Sequence, residues 1–221
     1  MKKIHLHKNN WLICISLMLF CQNIYSQKVE DLYVKMPDIL NPTLSKQNRL
    51  ELLEYHKAHQ SDSVANRFGN QAHLIIMDTL NQQIVVKNTL SSTFEMKILT
   101  LEDSTIVIGI IRTVCAPVCQ SSIEFYDTAW NKVPLQFSMP KAIDWINPKN
   151  MEIEKNDSRW MKNLLEISFI SLTFSIQNQT LIARNNTLEF LNEAEIKLIQ
   201  PYLVDKTISY ELVDRKWVQK P

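Results

Sequence analysis

The sequence predicts an α+β domain: an N-terminal helix pair, an antiparallel β-meander, then further antiparallel strands with one short C-terminal helix. Apolar residues recur at helical spacing before residue 60, whereas from about 71 to 127 they alternate with polar residues at the strand period of two. The alternating segments are separated by short turns, and short turns join antiparallel neighbours. A chain in which helices come first and strands follow is typical of the α+β class.

The first 26 residues have the composition of a secretory signal peptide. Three lysines and no acid precede an apolar run of 11 residues, Trp11–Cys21, and a small residue, Ser26, precedes a polar start. The run is shorter than the roughly 20 residues that span a bilayer. We expect cleavage after Ser26 and no transmembrane segment afterwards. The alternative is lipidation of Cys21, which the bulky Phe20 before it disfavours.

Cleavage would leave 195 residues, 27–221, enough for one domain with a sizeable core. Removing three of the 24 basic residues leaves 21 against 23 acidic ones. This near-neutral balance excludes the electrostatic footprint of a nucleic-acid-binding protein. The chain has two glycines, Gly69 and Gly109, where average usage predicts about fifteen. Phosphate-binding loops and nucleophile elbows need glycine, so we expect no nucleotide cofactor and no common esterase fold.

Two helices are predicted in the segment of about 28–60. The first covers Val29–Lys35 and stops at Met36-Pro37, and the second is capped by Thr43 and runs to about His59. The apolar stripe of the second helix comprises Leu50, Leu52, Leu53 and Tyr55.

The meander, about 71–130, contains five predicted strands: AHLIIMD, QQIVVKN, STFEMKILTL, TIVIGIIRTV and SSIEFYD. In the third strand, Phe94, Met96 and Ile98 share one face, and Glu95 and Lys97 share the other. The fourth strand is apolar on both faces, which indicates a central position in the sheet.

The remaining chain divides into a loop-rich segment, 131–162, and a strand and helix portion, 163–221. Three prolines indicate loops in the first, with a short helix near KAIDWIN. LLEISFISLTFSI predicts a long strand with a bulge near Phe169-Ile170, because its alternation slips there. After the strand TLIAR, Asn192 and Glu195 have capping-box spacing for a helix that ends before Pro201. TISYELVDRKWV predicts a last strand or hairpin.

The motif RTVCAPVCQS holds Cys115 and Cys119. Cysteines four apart on an extended strand have Cα atoms about 13 Å apart, beyond the ~7 Å limit for a disulfide. A hairpin turn between the two flanking strands would bring them together, and an oxidising location favours the bond. Free thiols, a thiol–disulfide redox centre beside Arg112, and half of a metal site are the alternatives.

Other side chains are weaker candidates. His56 and His59 share a predicted helix face, and with His73 they could bind a metal, but solvated histidines at a polar helix end are the favoured explanation. Ser63 beside Asp62 near these histidines would suit a hydrolase. Trp145 and Trp160 flank the loop-rich segment and are candidate anchors for a protein or glycan.

Several stretches carry a resemblance to a known family: MPDILNPTLSKQNRLELLEY, NRFG, MKILTLEDSTIVIGIIRTVCAPVCQSSIEFYDTAW and LVDRKWV. Together they resemble a family of secreted Bacteroidales proteins known only as a domain of unknown function. The resemblance implies a Gram-negative exported protein and carries over no catalytic residue. Two helices followed by a meander are also similar to the repeats of β-lactamase inhibitor proteins, whose concave sheet grips a partner.

The expected function is therefore a non-enzymatic binding domain in the periplasm or at the cell surface, with a protein or glycan as partner. Its oligomeric state is left open. The alternative is an exported enzyme: a thiol–disulfide protein using Cys115 and Cys119, or a hydrolase near His56 and His59.

Overall fold

The predicted α+β class is confirmed by the computed structural model, which describes residues 28–147, 159–204 and 207–220. The expected signal peptide and part of the loop-rich segment lie outside the described residues. Two helices are followed by a six-stranded antiparallel sheet and then by a four-stranded antiparallel sheet with two short helices. The helices are α1 (Val29–Lys35), α2 (Lys46–Lys57), α3 (Arg159–Leu164) and α4 (Glu193–Ile199).

The start of α2 differs from the prediction, because Ser45 and not Thr43 is its cap. The Ser45 hydroxyl accepts from the backbone N–H of Asn48, and the Asn48 side chain accepts from the Ser45 N–H, both at 3.1 Å. This reciprocal pair satisfies two backbone donors at the helix start. Thr43 is buried in the preceding turn.

The buried stripe of α2 also differs from the prediction. Leu52 and Leu53 are buried as expected, but Tyr55 is exposed and Arg49 is fully buried. The Arg49 guanidinium donates to the carbonyls of Tyr33 at 2.9 Å, Leu44 at 2.7 Å and Met36. It thereby satisfies carbonyls at the end of α1, which have no partner within that helix.

The six-stranded sheet follows chain order and contains the five predicted strands preceded by one short strand. Its strands are β1 (Ser63–Ala65), β2 (Gln71–Asp78), β3 (Gln83–Thr89), β4 (Ser92–Thr100), β5 (Ile106–Cys115) and β6 (Cys119–Tyr126). All five pairings are antiparallel. The short β1 was not predicted, because three residues are too few to show an alternation.

The second sheet has the order β10-β9-β8-β7. Its strands are β7 (Ile170–Phe174), β8 (Thr180–Asn185), β9 (Ile208–Val213) and β10 (Lys216–Gln219). The long bulged strand predicted over 164–176 is wrong: α3 ends at Leu164 and β7 begins only at Ile170. Leu165 instead packs with Met161 and Ile199 in a small separate cluster, and this burial overrides the strand pattern.

Three smaller predictions for the chain after the meander are confirmed. A 3₁₀ turn covers Ala142–Trp145, within KAIDWIN. The Asn192 side chain accepts from the N–H of Glu195 at 3.0 Å, and the Glu195 carboxylate accepts from the Asn192 N–H at 2.9 Å, which forms the expected capping box of α4. The last segment is the hairpin of β9 and β10.

The meander is covered on both faces. α1 and α2 pack against one face around Phe94, Met96 and Ile110. The second sheet packs against the other, where Phe174 and Trp217 meet residues of β4, β5 and β6. A Cβ on Gly109 would lie 2.5 Å from the ring of Phe174, so this glycine permits the close approach of the two sheets.

A polar clasp of Gln83, Glu95 and Lys97 joins the two sheets. The Glu95 carboxylate accepts from the N–H of Phe174 at 2.7 Å and from the Gln83 amide at 2.8 Å. The Lys97 ammonium donates to the carbonyls of Ser175 at 2.6 Å and Ile176 at 3.1 Å, and to Gln83 at 3.1 Å. All three members of the clasp are buried. The predicted alternation of β4 is therefore correct, but its polar face lies in the interior.

Candidate functional site

Four exposed apolar side chains lie at one end of the meander, and we call them the apolar rim. Ile39 lies on the 3₁₀ turn Asp38–Leu40, Phe68 on the β1–β2 turn, Leu90 on the β3–β4 turn and Val114 near the end of β5. Their exposed fractions are 84%, 67%, 94% and 53%. Turns 1–2, 3–4 and 5–6 of an up-and-down meander fall at the same end, so the topology itself brings these segments together.

A buried network of three asparagines holds the turns beneath the rim. Asn41 and Asn88 exchange two side-chain hydrogen bonds, at 3.3 and 3.0 Å. The Asn66 amide donates to the backbone carbonyl of Asn88 at 2.8 Å, and its oxygen accepts from the N–H of Phe68 at 2.9 Å. Buried amides that satisfy one another fix the positions of their backbones. The rim is therefore a pre-organised surface.

The charges beside the rim are paired. Asp38 forms ion pairs with Arg67 and with the buried Arg49, the latter at 3.1 Å. Desolvation alone would raise the pKa of Asp38, but the two arginines outweigh it and lower that pKa. On the other side, Arg112 donates to the carbonyl of Leu40 at 2.9 Å, which attaches the 3₁₀ turn to β5.

Cys115 and Cys119 are the last residue of β5 and the first residue of β6. They are opposite each other in the hairpin, with Cα atoms 3.9 Å apart, and their sulfurs are bonded. The predicted disulfide across a turn is confirmed. The Cys115 N–H donates to the carbonyl of Ser91 at 2.8 Å, so the hairpin is joined to the turn that carries Leu90.

Arg112, the side chain predicted to lower a thiol pKa, forms hydrogen bonds with other groups. Besides Leu40, Arg112 donates to Glu124 at 2.7 Å, and Glu124 also pairs with Lys132. The Lys132 ammonium and the Arg112 guanidinium lower the pKa of Glu124 to about 2 against a smaller effect of burial. Redox activity of the cysteines stays a prediction.

The three histidines are not brought together. The Nδ1 atom of His56 lies 2.6 Å from a carboxylate oxygen of Asp62, His59 follows α2 with a φ of 53°, and His73 is exposed on β2. No group of three His, Cys, Asp or Glu side chains that could hold a metal ion is found among the described residues. The hydroxyl of Ser63 bonds to that of Ser61 at 3.1 Å.

Comparison with known protein families decides the affiliation of the chain. A family model described as a protein of unknown function, DUF3256, matches residues 21–217. The chain belongs to the DUF3256 family. This confirms the resemblance stated from the sequence, although the family description carries no activity.

One solved structure similar to this DUF3256 chain is a domain of an uncharacterized protein from Porphyromonas gingivalis W83. The TM-score is 0.72 at 22% sequence identity, and the match covers 87% of this chain and 97% of that domain. At this identity the likeness shows the fold alone. Comparison with curated proteins finds no significant match. Among the described helices of the DUF3256 chain, none is long and apolar enough to cross a membrane.

The two tryptophans predicted as anchors of the DUF3256 chain occupy different environments. Trp145 is buried among the residues of the core between the sheets and also lines a pocket beside the second sheet. Trp160 is half-buried, and its ring lies edge-on against Tyr202 with centroids 5.9 Å apart. Neither belongs to the apolar rim, and ligand binding by either one stays a prediction.

The apolar rim was not predicted from the sequence. Ile39, Phe68 and Leu90 lie in turns, where no periodicity distinguishes a buried apolar residue from an exposed one. The available signal was the large apolar residue inside polar turn sequences such as NRFGN and NTLSS.

Proposed function

We propose that the chain is an exported, non-enzymatic binding domain that holds a protein partner on the apolar rim. Export to the periplasm or cell surface of a Gram-negative bacterium is supported by the basic and apolar N-terminal sequence and by the resemblance to secreted Bacteroidales proteins. The two parts of the proposal are independent, and each has its own test below.

The observation that carries the binding proposal is the exposure of four apolar side chains on one pre-organised surface. Single exposed apolar residues are ordinary, but clustered ones on a soluble protein mark interaction sites. The asparagine network and the disulfide hairpin already fix the turns, so little conformational entropy is lost when a partner binds.

The composition of the rim favours a protein over a glycan. Three of its four members, Ile39, Leu90 and Val114, are aliphatic and offer no flat surface on which a sugar ring can stack, and Phe68 is the one aromatic member. Asp38 and Arg67 neutralise each other beside them. An apolar centre with paired charges at its border is typical of protein–protein interfaces.

A hydrolase near His56 and His59 is the second candidate, favoured by the contact of His56 with Asp62. A carboxylate that orients an imidazole is one part of a nucleophile-activating set. The Ser63 hydroxyl bonds to Ser61, so the set lacks its nucleophile in this arrangement. Activity on ester substrates that is lost in His56→Gln would favour this candidate over the binding proposal.

A pull-down from native cell envelopes tests the binding proposal with a matched control. Leu90 and Leu80 are both turn residues, with exposed fractions of 94% and 91%, and they lie at opposite ends of β3. We expect Leu90→Asp to lose the captured partner and Leu80→Asp to retain it. Equal loss or equal retention in the two variants would contradict the assignment of the rim.

Export is tested by mass spectrometry of the protein from its native host. We expect a chain that starts at Gln27 and carries no lipid. A lipidated Cys21 would contradict cleavage after Ser26 and would place the protein on a membrane surface.

A further inference from the structure

A pocket of about 500 Å³ lies beside the second sheet, away from the apolar rim. It is bordered by the 3₁₀ turn Ala142–Trp145, the end of β8, the turn Thr187–Glu189 and the segment after α4. Its volume is within the range of about 300–1,000 Å³ that small-molecule sites occupy.

Backbone hydrogen bonds hold the walls of this pocket together. The N–H of Val204 donates to the carbonyl of Trp145 at 2.8 Å, and the N–H of Asn147 donates to that of Tyr202 at 2.9 Å. Ile146 and Leu203 form an antiparallel bridge between the same two segments. The pocket is therefore formed before any ligand enters.

The lining of the pocket combines apolar and polar side chains. The apolar ones are Trp145, Leu188 and Leu203. The polar ones include Arg184, Asn185 and Gln200, and the Asn185 oxygen already accepts from the N–H of Thr187 at 3.0 Å.

Among the described residues that line the pocket, Arg184 carries the only charged side chain. Arg184 is exposed, and within residues 28–147, 159–204 and 207–220 it forms no ion pair. None of the described residues that line the pocket is acidic. A guanidinium with no carboxylate partner among the described residues, in a pocket that also contains apolar side chains, is complementary to an anion that carries an apolar body.

We propose that this pocket binds a small organic acid, with its apolar body against Trp145, Leu188 and Leu203 and its carboxylate on Arg184. The proposal is independent of the apolar rim, because no rim residue lines the pocket. It assigns to the chain a ligand site in addition to the protein-binding surface.

Three probes with the same phenylbutyl body separate charge from hydrophobic contact: 4-phenylbutyrate, 4-phenylbutan-1-ol and 4-phenylbutylamine. Each is titrated into the isotope-labelled protein, and the amide NMR signals are followed. We expect the acid to shift the signals of Leu188 and Leu203 and to bind at least about tenfold more tightly than the alcohol, which is the range of one charge-assisted hydrogen bond. The amine should bind most weakly.

Arg184→Gln should lower the affinity for the acid about tenfold, to that of the alcohol, and leave the affinity for the alcohol unchanged. Lys46→Gln is the matched control, since Lys46 is an exposed cation on α2 and should change neither affinity. Equal affinities for acid and alcohol, shifts that map to other residues, or an unchanged affinity in Arg184→Gln would overturn the proposal. The map of shifts on the unmodified protein decides the question even where the variant fails to fold.

Discussion

Replacing Glu95 by Gln is expected to stabilise the protein above pH 7 and to leave its stability nearly unchanged at pH 5. Burial raises the pKa of Glu95 to about 7, against hydrogen bonds from Phe174, Thr173 and Gln83 and the charge of Lys97, which lower it. The Lys97 ammonium is satisfied by two carbonyls and the Gln83 oxygen and not by the carboxylate. Glu95 is therefore free to hold a proton in the folded state.

The sign of the effect follows from the two states of the chain. The unfolded chain releases the proton near pH 4.5 and the folded chain only near pH 7. The folded state consequently binds more protons between these values, and stability falls as the pH rises through this window. A difference of about 2.5 pKa units corresponds to about 3–4 kcal/mol at about 1.4 kcal/mol per unit.

The glutamine variant removes this loss because its amide has no proton to release. Its oxygen can accept from Phe174 and Gln83, and its NH₂ group can donate to the Thr173 hydroxyl, which lies 2.9 Å from the carboxylate. At pH 8 we expect Glu95→Gln to be more stable than the unmodified protein by about 3 kcal/mol, and at pH 5 to differ by less than about 1 kcal/mol.

Urea unfolding at pH 5, 6, 7 and 8, followed by tryptophan fluorescence and circular dichroism, measures this difference. Glu102→Gln is the control, because Glu102 is exposed in the β4–β5 turn and should give a parallel curve. If Glu95→Gln is less stable than the unmodified protein by the same amount at every pH, Glu95 is ionised throughout and the reasoning is refuted.

Three further substitutions test the packing. Arg49→Met should destabilise the protein by about 3–5 kcal/mol in urea unfolding, because it leaves the carbonyls that end α1 unsatisfied in the core; a loss below about 1 kcal/mol would show that the guanidinium is not needed there. Gly109→Ala should cost about 1–3 kcal/mol, because its methyl group meets the Phe174 ring; an unchanged unfolding midpoint would contradict that contact. Replacing Cys115 and Cys119 together by Ser should cost no more than about 2 kcal/mol and leave partner binding nearly intact. A redox centre would instead show unchanged stability, complete loss of function, and alkylation of the reduced thiols with a midpoint below about pH 7.

The alternation of apolar and polar residues was enough to predict the strands of the meander, but it did not predict which faces of the sheet are buried. Alternation correctly placed Glu95 and Lys97 opposite Phe94 and Met96. Glu95 and Lys97 are buried because a sheet built from residues 170–219 covers them. The sequence of β4 itself contains no pattern that predicts this contact. The same limit applies to Arg49, which interrupts the apolar stripe of α2 because its partners are carbonyls of another helix.

Only part of the candidate site could likewise be predicted from the sequence. The disulfide could be predicted because two strand patterns flank the cysteines and require a reversal between them. The apolar rim could not, because Ile39, Phe68, Leu90 and Val114 come together only through the order of the turns. The strand expected over 165–169 failed for a related reason: Leu165 directly follows α3 and is buried against Ile199 of α4, which is distant in the sequence from the segment that suggested a strand.

The central claim, that the apolar rim holds a protein partner in the cell envelope, is tested most directly by site-specific photocrosslinking in the native host. A photoreactive residue is placed at position 90 in one strain and at position 80 in another, two turn positions of nearly equal exposure at opposite ends of β3. The account predicts one discrete crosslinked protein from position 90 and none from position 80. Crosslinks of the same pattern from both positions, or none from position 90, would contradict it.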